Sequence, residues 1–271
     1  MNSAIREWLN LGLRWFHIFA GILWVGQTYY FTWLDGQFTK AEKSGSKEKP
    51  SAVWMVHSGG FYTVEKQKSL GVAPELVRWF RWEALLTWLS GLALLFLVYY
   101  FSSGLIDPDV AAVSQGRAVA IGIAVLVVGW VIYDFAVRSF LARSQPLFVA
   151  FAFVTTAATS WALLHVFSAR AAYLHVGALY GTIMTINVWM RILPAQRKMI
   201  AAAAKGDAFD PNLSAQAKLR SKHNTFMAVP VVFLMISNHY PVATYGSTYS
   251  WEILLALVVV GWAAANVIRS T

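Results

Sequence analysis

The stretch AVAIGIAVLVVGWVIYDFAV at 118–137 holds twenty residues with a single charge, Asp134. A helix that crosses the hydrocarbon of a bilayer needs about 20 mostly apolar residues. Working outward from this stretch, such runs occupy 11–34, 77–101, 117–141, 146–168, 171–195, 224–241 and 250–268. The sequence therefore predicts an all-α, polytopic transmembrane helix bundle of about seven spans, forming a single domain over 1–271. The first run is too long for the apolar core of a signal peptide and no strong small-residue cleavage site follows it, so it is expected to be a retained helix. The sixth is short and contains Pro230, which removes a backbone donor and is expected to kink the helix, with neighbours in the bundle satisfying the freed carbonyl.

Composition agrees. Of 271 residues, 58% are hydrophobic and 13% charged, against about 45–50% and 25% in a soluble domain. There is no cysteine. That excludes a disulfide framework, a thiolate metal site, a cysteine nucleophile and a covalent c-type haem attachment, so any redox cofactor must be held by histidine, methionine or oxygen ligands.

The net charge of +9 resembles a nucleic-acid signal until its placement is considered. Lys and Arg fall into alternate gaps between spans. The segments 35–76 and 196–223, the basic turn at Arg138 and Arg143, and Arg269 hold 18 of the 22 with their flanks, leaving Arg6, Arg14, Arg117 and Arg170 on the other side. The positive-inside rule places the N-terminus outside and both long segments in the cytoplasm. The charge then reads as a topological address, and no nucleic-acid partner is expected. Within the first segment, WMVHSGGFYTVEKQK (54–68) interleaves aromatics with Gly59, Gly60 and His57. This composition suits a cytoplasmic loop partly folded over the bundle, whereas 40–50 and 201–215 read as solvated segments.

Depth along each span follows from about 1.5 Å of rise per residue. Counted from the run boundaries, His17, His165, His175 and His239 fall in the outer leaflet. Each alone reads equally as a residue with its polar tip at the headgroup boundary. Four on neighbouring helices suggest ligands for haem iron, since neutral imidazole is the usual axial ligand of a non-covalent haem; one or two b-type haems are expected. A second polar set lies toward the cytoplasm: His57, Arg81, Glu83, Asp134, Asn187, Arg191, His223 and Asn224. Arg81, Asn187, Asn224 and Asp134 are candidates for binding a planar polar anion, and His57, Glu83 and His223 for moving its proton. Asp134 reads as well as a buried ion-pair partner that ties helices together.

The runs LRWFHIFAGILWVGQTYYFTWLDGQF (13–38), HSGGFYTVEKQK (57–68) leading into RWFRWEALLTWLSG (78–91), and HNTFMAVPVVFLMISNHYP (223–241) resemble the membrane domain of bacterial membrane-bound urate hydroxylases over nearly the whole chain. The resemblance implies a multi-pass protein of the bacterial inner membrane that oxidises urate to 5-hydroxyisourate in purine catabolism and passes electrons to a cytochrome c. Many relatives carry that cytochrome as a C-terminal domain, which a chain without cysteine cannot hold, so a separate protein or a further domain is the expected acceptor. The first motif, an H-x6-W-x-G helix, is also similar to haem-binding protoporphyrinogen oxidases and copper-resistance membrane proteins. Those resemblances imply two alternatives, a haem-dependent porphyrinogen oxidase and a metal transporter with histidine and methionine ligands.

Overall fold

The computed structural model describes residues 2–43, 52–67 and 77–270. Helix α1 (Ser3–Lys43) is followed by a hairpin of β1 (Ala52–His57) and β2 (Gly60–Glu65) and then by α2 (Trp82–Leu95), α3 (Gln115–Arg138), α4 (Gln145–Leu164), α5 (Ala169–Asn187), α6 (Leu193–Ala204), α7 (Pro211–Ser237) and α8 (Ser250–Ser270). Six helical segments are long and apolar enough to cross a membrane, α5 and α6 forming one of them through a π-helical turn at Val188–Ile192. The architecture is the expected all-α bundle, consistent with a multi-pass membrane protein.

The expected sixth span corresponds to α7, which is long enough to cross at 27 residues but is not among the six. Four of its polar residues face inward: Arg220, Asn224, Thr225 and Ser237 are buried together with Met227, Ala228, Pro230 and Leu234. A helix surrounded by other helices has no need of a uniformly apolar surface. Pro230 is fully buried, and a side chain at Gly261 of α8 would collide with its ring at 2.8 Å. Glycine at 261 is what lets α8 approach the proline.

Both long polar segments carry more structure than their composition suggests. Helix α1 continues through Lys43, α6 runs through its alanines to Ala204, and α7 begins at Pro211, where the Asp210 side chain accepts from the Asn212 amide at 2.9 Å. Alanine is the strongest helix former and an aspartate N-cap supplies a start, so charge alone did not mark these stretches as loops. The segment expected to fold over the bundle is the β1–β2 hairpin, packed beside α1 through a hydrogen bond from the Tyr30 hydroxyl to Met55 Sδ at 3.2 Å. The polar stretch 44–51 and residues 68–76 lie outside the described residues.

The ends of the molecule can be matched by contact. Arg6 donates to the Leu97 carbonyl at one face, while Tyr29 and Thr32 meet Thr225, and Lys218 meets Asp35, at the other. Arg269, at the last turn of α8, lies over Phe226 of α7 at that second face. The two ends of the described chain thus stand at opposite faces, as the charge distribution requires.

Candidate functional site

Pro194 has no amide hydrogen, and its ring clashes with the carbonyl of Met190 in a regular α-helix. The chain answers with the π turn Val188–Ile192, and the freed Met190 carbonyl accepts from Arg191 Nη1. Single π turns inside helices are frequent at functional sites. This one brings Asn187 and Arg191 together toward α3. Arg191 binds Asp134 in a two-pronged pair, Nε to Oδ1 at 2.8 Å and Nη2 to Oδ2 at 2.6 Å.

Asp134 is the hub. It is 5% exposed and bonded to Arg138 one turn along α3, to Arg191, and to Arg220 of α7 at 2.7 Å. Arg220, itself 4% exposed, also donates to Asn187 Oδ1 at 3.1 Å and lies over the Tyr133 ring. Asn187 donates to the Tyr133 hydroxyl at 2.9 Å and to Asn224 Oδ1 at 3.0 Å, and Asn224 donates to the Met184 carbonyl. From Tyr133 the network reaches His223, whose Nδ1 is 2.9 Å from the hydroxyl and whose ring stacks on Phe148 at 4.5 Å. Three guanidinium groups around one carboxylate leave an excess of positive charge.

Tyr133 and His223, at the edge of that network, line a cavity of about 820 Å³ among α3, α4, α5, α7 and α8. Tyr133, His223, Arg143, Gln145 and Lys222 are among its polar lining residues, with Thr155, Thr156, Thr159, Tyr180, Val259 and Trp262 completing the wall. Binding cavities for small organic ligands run to about 300–1,000 Å³, mostly apolar with a few convergent polar groups, and this one fits. His223 Nε2 makes no hydrogen bond to the protein among the described residues. In one tautomer Asn187 donates to the Tyr133 oxygen, Tyr133 donates to Nδ1, and Nε2 carries a hydrogen free to be donated into the cavity. With the ring proton on Nδ1, Tyr133 accepts it and Nε2 offers a lone pair. Lying just before the apolar run of α7, His223 has its pKa lowered to about 4, by burial first and then by Arg220 and Lys222. It is neutral at physiological pH.

Of the cytoplasmic set, the structure gathers Asp134, Asn187, Arg191, His223 and Asn224 into one network, with His223 alone among them lining the cavity. Arg81 and Glu83 sit apart at the start of α2. The Arg81 guanidinium lies over Trp82 and Trp189, and Glu83 Oε1 takes Arg78 at 2.9 Å. Arg81 Nε and Glu83 Oε2 are buried without hydrogen-bond partners among the described residues. His57 is exposed at the end of β1, opposite Gly60. Sequence reading passed over Tyr133, Arg220, Arg143 and Lys222. Arg220 was legible: with Asn224 and Met227 it occupies one face of α7 at helical spacing.

The outer histidines do not meet. His17 Nδ1 bonds the Thr87 carbonyl and Ser90 at 2.9 and 3.1 Å, with Gly91 against the ring. His175 is fully buried beside Tyr100, whose hydroxyl is 3.1 Å from Nε2, with Nδ1 on the Ala171 carbonyl. Gly91 and Tyr100 are nine residues apart on one continuous helix, or roughly 13 Å. His165 is exposed with Nδ1 on its own helix at Trp161, and His239 is exposed beyond α7. Their expected common depth fails because α1 is already helical at Ser3, outside the run counted from residue 11, which lowers His17 toward the middle of the bundle. Among the described residues no group of three or more potential metal-binding side chains occurs. Of the four candidates for an axial haem position, His175 is fully buried, His17 is half-buried, and His165 and His239 are exposed.

A model of the family described as urate oxidase N-terminal matches residues 3–270. No curated protein and no solved structure matches.

Proposed function

The chain belongs to the urate oxidase N-terminal family, and from that premise we propose that it oxidises urate to 5-hydroxyisourate in the cavity beside His223. The family supports an oxidoreductase acting on urate. The observation that carries the location is the cavity itself, whose polar end combines a neutral imidazole with surplus positive charge. Urate is a planar anion, and the three arginines on Asp134, with Arg143 and Lys222 at the mouth, supply a positive field for it.

The reaction consumes urate and water and yields 5-hydroxyisourate, two protons and two electrons. His223 with its hydrogen on Nε2 donates to an oxygen of the bound anion; with its hydrogen on Nδ1 it takes a proton from substrate or water. Tyr133 serves both tautomers, as donor or as acceptor, and Asn187 holds the hydroxyl in place. An imidazole whose pKa is about 4 is a weak base, but an anion bound beside it offsets the neighbouring cations and raises it toward the working range. Asp134, Asn224 and Asn187 act as positioning residues behind the site. Arg143 and Lys222 replace Arg81 as the groups that receive the anion.

The electrons pass to a carrier of the cytochrome c class, as the resemblance implies, and the protein resides in the bacterial inner membrane with the cavity mouth toward the cytoplasm, where urate arises. The test is anaerobic turnover of the purified protein in lipid nanodiscs with ferricytochrome c. Urate should disappear with two cytochromes reduced per molecule, without oxygen. Urate that persists under these conditions, and also in air, overturns the reading.

A further inference from the structure

The β1–β2 hairpin has two faces, and both are apolar. Strand residues alternate sides, and the pairing sets Trp54 opposite Thr63 and Val56 opposite Phe61 on one face, with Met55 opposite Tyr62 and Val53 opposite Val64 on the other. The second face turns toward α1, where Met55 meets Tyr30, and its Val53, Met55 and Val64 are partly buried. Among the described residues nothing covers the first: Trp54 is 71% exposed, Val56 69% and Phe61 76%. A solvated hairpin would carry polar residues there.

Depth identifies the cover. Arg6 is level with Leu97 near the outer end of α2. From residue 6 to Tyr30 is 24 residues, about 36 Å of helix, which exceeds the roughly 30 Å of hydrocarbon and stays within the roughly 40–45 Å that includes the headgroups. Tyr30, and the hairpin touching it, therefore sit in the cytoplasmic headgroup layer. Other exposed rings mark the same level: Tyr30, Phe31, Trp33 and Phe80 contact one another there. Trp and Tyr concentrate at such boundaries because one end of the ring is apolar and the other polar. Lys66, beside the hairpin on Asp35, anchors it at the charged boundary.

We infer that the Trp54–Val56–Phe61 face is a membrane-contact surface, lying in the headgroup and acyl boundary of the cytoplasmic leaflet of the bilayer the chain spans. The hairpin is a monotopic element attached to a polytopic bundle, and its occupant is lipid. This inference is independent of the reaction assigned to the cavity.

The chain has no cysteine, so each introduced thiol is unique. The variants Trp54→Cys, Val56→Cys and Phe61→Cys are spin-labelled in nanodiscs of mixed neutral and anionic lipid, with Ser58→Cys at the hairpin tip and Gln67→Cys, exposed beyond β2, as references. Collision with oxygen, which favours lipid, is compared with collision with a water-soluble nickel chelate. Labels at 54, 56 and 61 should show several-fold higher oxygen-to-nickel ratios than those at 58 and 67. Equal ratios at all five positions overturn the proposal. So does protection at 54, 56 and 61 that persists in detergent and vanishes on dilution to monomer, which would identify a second copy of the chain as the cover. Unchanged circular dichroism of each variant confirms that the label reports on the folded protein.

Discussion

Both ends of the bundle hold polar groups that do not belong in lipid, yet it is the set around Asp134 that converges into one network. Asp134, Arg220, Asn187, Tyr133 and His223 are linked hand to hand across α3, α5 and α7. The other histidines are held one by one: His165 by a carbonyl one turn back on its own helix, His175 by its own helix and Tyr100, and His17 by Thr87 and Ser90 of α2. Placing polar residues in the same half of a bundle is therefore not enough to make a site. They must also lie on helix faces that look at one another, and a π turn is what makes α5 present two such residues to α3.

The sharpest break of this contrast is Asp134→Asn. It leaves three arginines without their carboxylate, and breaking a buried ion pair costs about 3–5 kcal/mol. Thermal unfolding in detergent should show a large drop in the midpoint and poor recovery of folded protein, whereas a midpoint near that of the parent would mean that the hub is not structural. His223→Ala should leave the fold intact and lower kcat for urate by about 100- to 10,000-fold, the range expected for loss of a general acid or base. Tyr133→Phe keeps the ring and removes one hydroxyl. It should cost roughly tenfold in kcat, at about 1.4 kcal/mol for one buried hydrogen bond, with little change in KM.

The pH dependence probes the same imidazole. The base form of His223 is lost as pH falls through its pKa, and bound urate raises that pKa. The acid limb of kcat/KM, which reports the free enzyme, should therefore lie near the free value of about 4, and the acid limb of kcat should lie at higher pH. Coincident limbs would remove the charge coupling between His223 and the substrate. Stability follows the same group: its folded pKa is below the ordinary 6.5, so the unfolded chain binds the proton more readily, and stability falls as pH drops from about 6.5 toward 4. The smallest effects belong to the outer half. His165→Ala and His239→Ala, both exposed, should stay within about 0.5 kcal/mol of the parent in stability and leave turnover unchanged. A large loss of turnover in either would return the outer leaflet to the chemistry.

The helices were legible because apolar runs of bilayer length have few other readings, and the cytoplasmic polar set was legible because ionisable groups are costly in lipid. What sequence could not supply was rotation. Glu83 and Arg81 share the depth of Asp134 but face Trp189 and Arg78 rather than α3, and no count of residues from a span boundary separates these cases. Tyr133 was hidden because a tyrosine near a membrane boundary has a default explanation as part of an aromatic belt. Arg220 was hidden among the basic residues that set topology, although its spacing from Asn224 places it on the buried face. The length of α1 was hidden because its polar outer turn, with Arg6 and Glu7, does not look like part of a span.

The central claim, that urate is oxidised in the cavity beside His223, is tested most directly by a single thiol at the cavity mouth. Ala142 lines it and is small, and Ala142→Cys places the only sulfhydryl of the protein there. Alkylation with a bulky maleimide should abolish urate turnover, and saturating urate should slow the alkylation. Full turnover by the completely alkylated protein would contradict the assignment.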